Sequence, residues 1–480
     1  MMMKSFKYTA LLIALSVVMG SCGQDFLNLT PHSNANAEDF YRDKSEIETA
    51  MVAAYISLHN VYGSLGIMYF FGALSSDDAY TDDHGTGSYD QFEIAQHRPN
   101  NSEVLSAWNQ FYSAITRMNK VIERAEDLSF AEKESYIAEM KFLRALYYFN
   151  MAQMWGGVPL VIAYISISDA YTTGRASMEE MYAQIIEDLQ YGIQYLPDIG
   201  KERAKGVPTK GSAYALLGKV YLTKGDKANA AGALQNIYGK YSLTPSYADL
   251  WDLTKKNGVE SIFEIQYLGG ASNAPSTYWA LFSPANNLGA VTLQGGGHNQ
   301  VTDDLWDDYE AGDPRRDISI QDGWVNLQGD PSPTRFPIKW VDPTTSYTGK
   351  REAGDNNFIV LRYADVLLML TEATDDPKYL NEVRARAGMP LWGTAGYPTG
   401  KYSTLALAIE HERRIELAME FHRMFDLKRT GRAVELLKAS SKNKTGLLNG
   451  LTENHLSLPI PETVIDQNPN FWKPLQNPGY

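Results

Sequence analysis

Flat aromatic side chains set among short polar ones are the residues of this 480-residue chain best placed to do chemistry. The chemistry they suit is recognition: a ring covers an apolar ligand face while neighbouring carboxylates and amides bond hydroxyls. Tyr278, Trp279 and Trp324 lie among Asn, Ser, Pro and Gly, where burial is hard to arrange, and are candidate stacking platforms. Tyr80 and Tyr89 are further candidates, in the loop SSDDAYTDDHGTGSYDQ. Asp82, Asp83 and His84 of that loop, with Asn299, are candidate partners for ligand hydroxyls. Asp77, Asp78, Asp82 and Asp83 also have the chemistry to hold Ca²⁺ or to supply a glycosidase acid pair. The plainest reading of that quartet is a solvated acidic loop that caps helices. Trp306 and Tyr309, in an expected helix, and Trp340, in the apolar run FPIKW, read as core.

Other reactive patterns fail on spacing. His411-Glu412-Arg413-Arg414-Ile415 starts like a zinc-protease helix, but Ile415 stands where the second histidine must be. Gly295-Gly296-Gly297-His298 lacks the Lys-Ser/Thr of a phosphate loop and reads as a flexible turn. No Gly-x-Ser-x-Gly elbow is present. Glu412, Arg413, Arg414, Glu416, Glu420, Arg423, Asp426 and Arg429 form a ladder at helical spacing. It reads as structural, with arginine forks engaging carboxylates along one helix and on its neighbours.

Cys22 is the only cysteine. Lys4 and Lys7 precede an apolar run from Ala10 to Val18, too short to span a bilayer, and Met19-Gly20-Ser21 lead into the thiol. Small residues before a cysteine at this distance look like a lipoprotein cleavage box. Residues 1–21 are then a signal peptide, Cys22 is the acylated residue, and 22–39 form a tether to the membrane. The mature chain has no thiol left for a disulfide or a thiolate metal site. The net charge of −14 argues against nucleic acid as a partner. No apolar run near twenty residues follows the leader, so no helical membrane span is expected.

The elements that must carry these residues read as helices for most of the chain. SEIETAMVAAYISLHNVYG, SEVLSAWNQFYSAITRMNKVIERAEDL and AEKESYIAEMKFLRALYYFNMAQMW show apolar spacings of three and four. Tyr214, Leu217, Gly218 and Tyr221, followed by Ala230, reproduce the spacing of a tetratricopeptide repeat. Gly218 and Ala230 are expected to let two helices approach closely. ESIFEIQYL alternates as a short strand should, and VLRYADVLLMLTEA reads as helix. The expected organisation is mainly α: a single domain over 40–480, with a tetratricopeptide-like helical-repeat scaffold at 40–260 and 358–440. A loop-rich ligand-binding insertion at 269–357, an extended tail at 452–480 and few short strands complete it.

Several motifs in this order resemble the SusD/RagB family of outer-membrane lipoproteins from Bacteroidetes. They are Asp25-Phe26-Leu27 after the lipobox, Glu139 with Phe142-Leu143-Arg144-Ala145 and Tyr148, and the turn Trp155-Gly156-Gly157-Val158-Pro159. The Glu412-Arg413-Arg414 helix and the endings Pro459-Ile460-Pro461 and Gln476-Asn477-Pro478-Gly479-Tyr480 match as well. The resemblance implies a non-enzymatic, surface-exposed protein that lids a SusC-like TonB-dependent transporter and captures oligosaccharides for import. A peptide, as for some relatives, is the alternative ligand, and a pure adaptor of the transporter the alternative role. The family's ligand residues sit in divergent loops, so none is carried over by motif. No cofactor is expected, a structural Ca²⁺ in the acidic loop being the one left open.

Overall fold

The computed structural model describes residues 41–82, 87–270, 274–285, 291, 295–342 and 354–480. The leader, Cys22 and the tether lie outside them. The longer helices are α1 Lys44–Tyr62, α2 Ser102–Glu126, α3 Lys133–Trp155, α4 Met178–Tyr195, α5 Lys210–Thr223 and α6 Lys227–Gln235. After the insertion come α7 Tyr363–Thr374, α8 Lys378–Arg386, α9 Leu405–Glu416 and α10 Arg423–Arg429. Each of α1 to α8 packs on the next in chain order, α6 on α7 included, so the insertion leaves the solenoid and returns beside its point of departure.

Local chemistry sets the helix ends. The Asn101 side chain accepts from the backbone N–H of Glu103 and Val104, one residue ahead of the start read from Ser102. Ser177 and Glu180 form a reciprocal capping box on α4. The α5–α6 pair is closed as its spacing predicts. A Cβ at Gly218 would fall 2.4 Å from the Leu234 side chain, and Ala230 is fully buried. α3 is buried on almost every face, and its Arg144 is spent inside. The guanidinium forks onto Asp188 of α4 at 2.7 and 2.8 Å and reaches Asn119 of α2 at 2.8 Å, tying three helices together.

The neck of the insertion is a two-stranded ribbon. β2 (Ser261–Ile265) pairs antiparallel with β8 (Phe358–Arg362), Ser261 facing Arg362 and Ile265 facing Phe358. The stretch ahead of Tyr363 is therefore strand where its pattern read as helix. All five residues of β8 are buried, and a short continuous apolar run does not separate the two forms. Inside the insertion, β3 (Gln300–Val301) pairs with β1 (Ala79–Tyr80), β4 (Ile320–Gln321) with β7 (Phe336–Pro337), and β5 (Trp324–Val325) with β6 (Pro331–Ser332). The N–H of Val301 donates to the carbonyl of Arg335 at 2.9 Å, joining the first two ribbons.

The helical spacing of the charged ladder from Glu412 to Arg429 is interrupted. Met419 and Phe421 are left-handed, with φ of 61° and 67°, and separate α9 from α10. The tail is not extended throughout, since Glu462–Gln467 and Pro469–Trp472 are helical turns. It closes on the end of α3. The indole N–H of Trp155 donates to Pro459, the Asn477 amide donates to the carbonyls of Trp155 and Leu458, and Arg175 binds the carbonyls of Trp155, Gly157 and Leu475. Three sequence motifs meet at this point.

Candidate functional site

The site is assembled where β1 meets β3. The π-helical turn Phe70–Leu74 leads into Asp77 and Asp78, whose carbonyls accept from the Thr302 hydroxyl and N–H, and Thr302 caps the helix Asp303–Asp308. Tyr80 is half-buried opposite Gln300. Burial first, then the charges of Asp82 and Asp303, push its phenol up to about 12. Asp82 is exposed, and its N–H donates to the carbonyl of Gly297 at 2.8 Å. Gly297 has φ 71°, and a Cβ there would sit 3.0 Å from that of Asp82, so the close approach requires glycine. Tyr89 lies 4.8 Å from the Phe70 ring and edge-on to His298 at 5.6 Å. His298 is buried, with Nδ1 3.2 Å from the Thr81 hydroxyl.

Asn299 is the unusual member. It is left-handed, with φ 56°, and its backbone N–H donates to the Tyr69 hydroxyl at 3.0 Å. Its side chain is fully buried, and neither amide atom has a hydrogen-bond partner. Gln300 Oε1 and the indole N–H of Trp324 are likewise unpartnered. Each unsatisfied buried polar group costs about 1–3 kcal/mol, so the three such atoms on adjacent Asn299 and Gln300 call for a partner, a ligand group or a bound water, on the ribbon that carries half-buried Tyr80.

The structure thus gathers Tyr80, Asp82, Tyr89 and Asn299 around one ribbon. Trp324 stands on the β5–β6 hairpin opposite Ser332, whose hydroxyl donates to that of Thr334 at 3.3 Å. Two of the expected platforms are corrected. Tyr278 is fully buried, its hydroxyl donating to the carbonyl of Tyr62 at 2.7 Å and its ring 4.7 Å from Trp340. Trp279 is 7% exposed and lies 6.3 Å from Phe336, with no open face to offer. Both belong to the short helix Tyr278–Phe282, whose apolar face enters an aromatic core with Trp340, Phe358 and Phe421. The i, i+3, i+4 spacing of Tyr278, Leu281 and Phe282 was the available signal, outweighed by the polar residues around it. Asp83 and His84 lie outside the described residues. His298, missed by the sequence reading, follows glycines that are tightly packed, a Cβ at Gly296 falling 2.7 Å from the carbonyl oxygen of Leu281. Trp340 and Tyr309 are core as expected, while Trp306 is half-buried between Arg316 and Arg335, whose guanidiniums lie 4.5 and 4.7 Å from its ring.

The acidic loop does not behave as a solvated one. Asp77 and Asp78 are buried, and Arg423 forks onto Asp77 at 2.8 and 2.9 Å while Arg414 binds Asp78 at 2.7 Å. Burial alone would raise Asp77, but the two arginines overcome it and hold the carboxyl well below the usual range. With Asp77 and Asp78 so engaged, the described part of the loop offers no cluster of ligands for Ca²⁺.

Below, His411 of α9 ties the insertion to the scaffold. Its Nδ1 lies 3.2 Å from Asp308 and its Nε2 3.1 Å from Glu310, with the ring stacked on Tyr402 at 3.9 Å. Two carboxylates on two ring nitrogens demand an imidazolium. Burial opposes the charge, yet Asp308 and Glu310 hold its pKa above the ordinary 6.5. A raised folded-state pKa gives stability that is complete below the unfolded value and lost as pH rises through the folded one. Thermal denaturation from pH 5.5 to 9.5 is expected to show wild type more stable than His411→Gln at low pH, with the gap closing in alkali. A gap that widens with pH would contradict the imidazolium.

The helical-repeat solenoid thus carries unpartnered amide atoms and the half-covered Tyr80 on the β1–β3 ribbon. Comparison with known proteins specifies the family. Residues 328–480 match the SusD family, and residues 25–222 match a SusD-like family described as starch-binding and associating with the outer membrane. SusD-like protein P2 from Formosa agariphila is 28% identical over the full length of both chains, and a SusD-like protein from Bacteroides ovatus is 26% identical over 88% of this chain and 83% of that one. A solved laminarin-binding SusD-like protein superposes with a TM-score of 0.78 at 29% identity, covering 92% of this chain and all of that one. A SusD homologue from Bacteroides thetaiotaomicron shares the fold, with a TM-score of 0.79 at 23% identity over 93% of this chain and 99% of its own. The chain belongs to the SusD family. No helix among the described residues is long and apolar enough to cross a membrane.

Proposed function

We propose that this protein is a cell-surface glycan-binding lipoprotein, held at the outer membrane by acylated Cys22, that captures oligosaccharides without cleaving them and passes them to a SusC-like TonB-dependent transporter. The observation that carries the reading is the unpartnered amide of Asn299 on the ribbon that holds Tyr80 and meets Tyr89. A sugar ring presents an apolar face to an aromatic and hydroxyls to an amide, and so satisfies both at once. The similarity to a laminarin-binding relative supports the same class of ligand.

Each aromatic face contributes modestly beyond the area it covers, and the lipid tether and the transporter supply effective concentration instead. The mature chain, residues 22–480 in detergent, is to be screened on a glycan array and titrated by calorimetry with any hit. Trp324→Ala is expected to weaken binding about tenfold, the order of one lost stacked face. Unchanged affinity in both Trp324→Ala and Tyr80→Ala would place the ligand elsewhere. No glycan bound by the folded protein would favour a peptide ligand or a transporter-only role.

A further inference from the structure

We infer that the face around Tyr80 selects uncharged glycans and excludes uronate-bearing and sulfated ones. The inference rests on the glycan reading above and deepens it.

The argument is the disposition of charge. Asp82, two residues from Tyr80, is exposed, and Glu93 accepts from the Thr81 N–H at 3.2 Å. Asp303, more than half of its side chain exposed, is near enough to act on the same phenol. These three carboxylates are charged groups that act on the Tyr80 phenol and, after burial, help to hold it protonated. Among the described residues, the cations bonded to Asp303 are spent. Arg335 binds Asp303 at 2.9 Å and Asp322 at 2.8 Å with its plane over Trp306, and Lys444 binds Asp303 at 3.1 Å.

Beyond Asp303 opens a cleft of about 480 Å³ that continues the same character, lined by Asp304, Asp307 and Asp308. Its two cations are committed as well, Lys401 to Asp308 at 2.8 Å and Arg414 to Asp78 at 2.7 Å. Arg315, Arg362 and Arg384 are buried elsewhere, paired with Glu412 and Glu416.

A carboxylate accepts hydrogen bonds and donates none, so this rim suits ligand hydroxyls. An anionic sugar would have to shed water against like charges and, among the described residues of this rim, would meet guanidiniums already engaged by carboxylates.

The test uses the mature lipoprotein in detergent and paired probes: neutral glycans on an array, and the best neutral ligand oxidised at its C6 positions to uronates. The neutral form is expected to bind at least about tenfold more tightly than its oxidised counterpart, with the ratio shrinking between low and high salt as the repulsion is screened. Replacing Asp303 and Asp322 together by Asn frees Arg335 and is expected to raise affinity for the oxidised form. Equal or tighter binding of the oxidised form by wild type overturns the selectivity while leaving glycan capture intact. Unchanged discrimination in the double variant overturns its assignment to this rim. Binding to no glycan at all sinks the capture reading, and this inference with it.

Discussion

Arg362→Met is expected to cost about 3–5 kcal/mol of folding stability, the loss typical of stripping a buried carboxylate of its partner. Arg362 is 1% exposed at the end of β8. Its guanidinium holds Glu420 at 2.9 and 3.0 Å, Glu260 at 2.8 Å and Glu416 at 2.6 Å, and also donates to the carbonyl of Glu416. All three carboxylates are buried. Their remaining partners are Lys339 for Glu420, Arg386 for Glu260, and Arg315 with Arg386 for Glu416. Removal of Arg362 leaves more buried negative charge than these can balance. A domain whose whole stability is on the order of 5–15 kcal/mol cannot absorb that loss without a large fall in folded fraction. Urea unfolding measures it. Arg335→Met is the contrast, since its partners Asp303 and Asp322 are more than half exposed and such pairs are worth about 0–1 kcal/mol. Equal stabilities for the two variants would refute the buried network as the element that locks the neck of the insertion.

Gly72→Val is expected to lower both stability and ligand affinity. A Cβ on Gly72 would sit 2.2 Å from the carbonyl oxygen of Phe421 and 2.9 Å from its carbonyl carbon. These are backbone atoms of a left-handed residue that is 2% exposed, with its ring stacked on Phe358 at 4.9 Å, so nothing there can swing aside. The two chains must part. Overpacking of this kind costs about 1–3 kcal/mol and occasionally more. The displaced π-helical turn leads directly into β1, so Tyr80 moves with it. Calorimetry on a glycan ligand and thermal denaturation report the two effects. Gly232→Ala on α6, where a Cβ meets nothing within 4 Å, is the control and should be neutral or slightly stabilising. A Gly72→Val protein with native affinity and stability would show that the approach to Phe421 does not position the ribbon.

What could be read from the chain follows the range of the interactions. The tetratricopeptide-like pair was legible because its demands are local: Gly218 and Ala230 lie on adjacent helices, and the spacing of small and aromatic residues states the contact. The charged ladder at 412–429 was legible as structural for a similar reason, though its partners Arg315, Arg362 and Arg384 were not. Short segments under long-range control were misread. Phe358–Arg362 became a strand because Ser261–Ile265 lies beside it. The helical spacing of the 412–429 ladder broke where Phe421 meets Gly72.

The candidate site shows the same division. Tyr80, Asp82, Tyr89 and Asn299 were named from residue type and polar surroundings, yet nothing in the sequence placed the segment near 80 against the segment near 300. Tyr278 and Trp279 had the same composition around them and went into the core.

By itself, the sequence determined the repeating helices, the family resemblance and the residue types available for recognition, because periodicity and spacing are properties of neighbours along the chain. Only the tertiary structure decided which aromatics are half-covered, which carboxylates are spent on arginines, and which amide is left without a partner. Those are properties of who is left over once every long-range contact has been made.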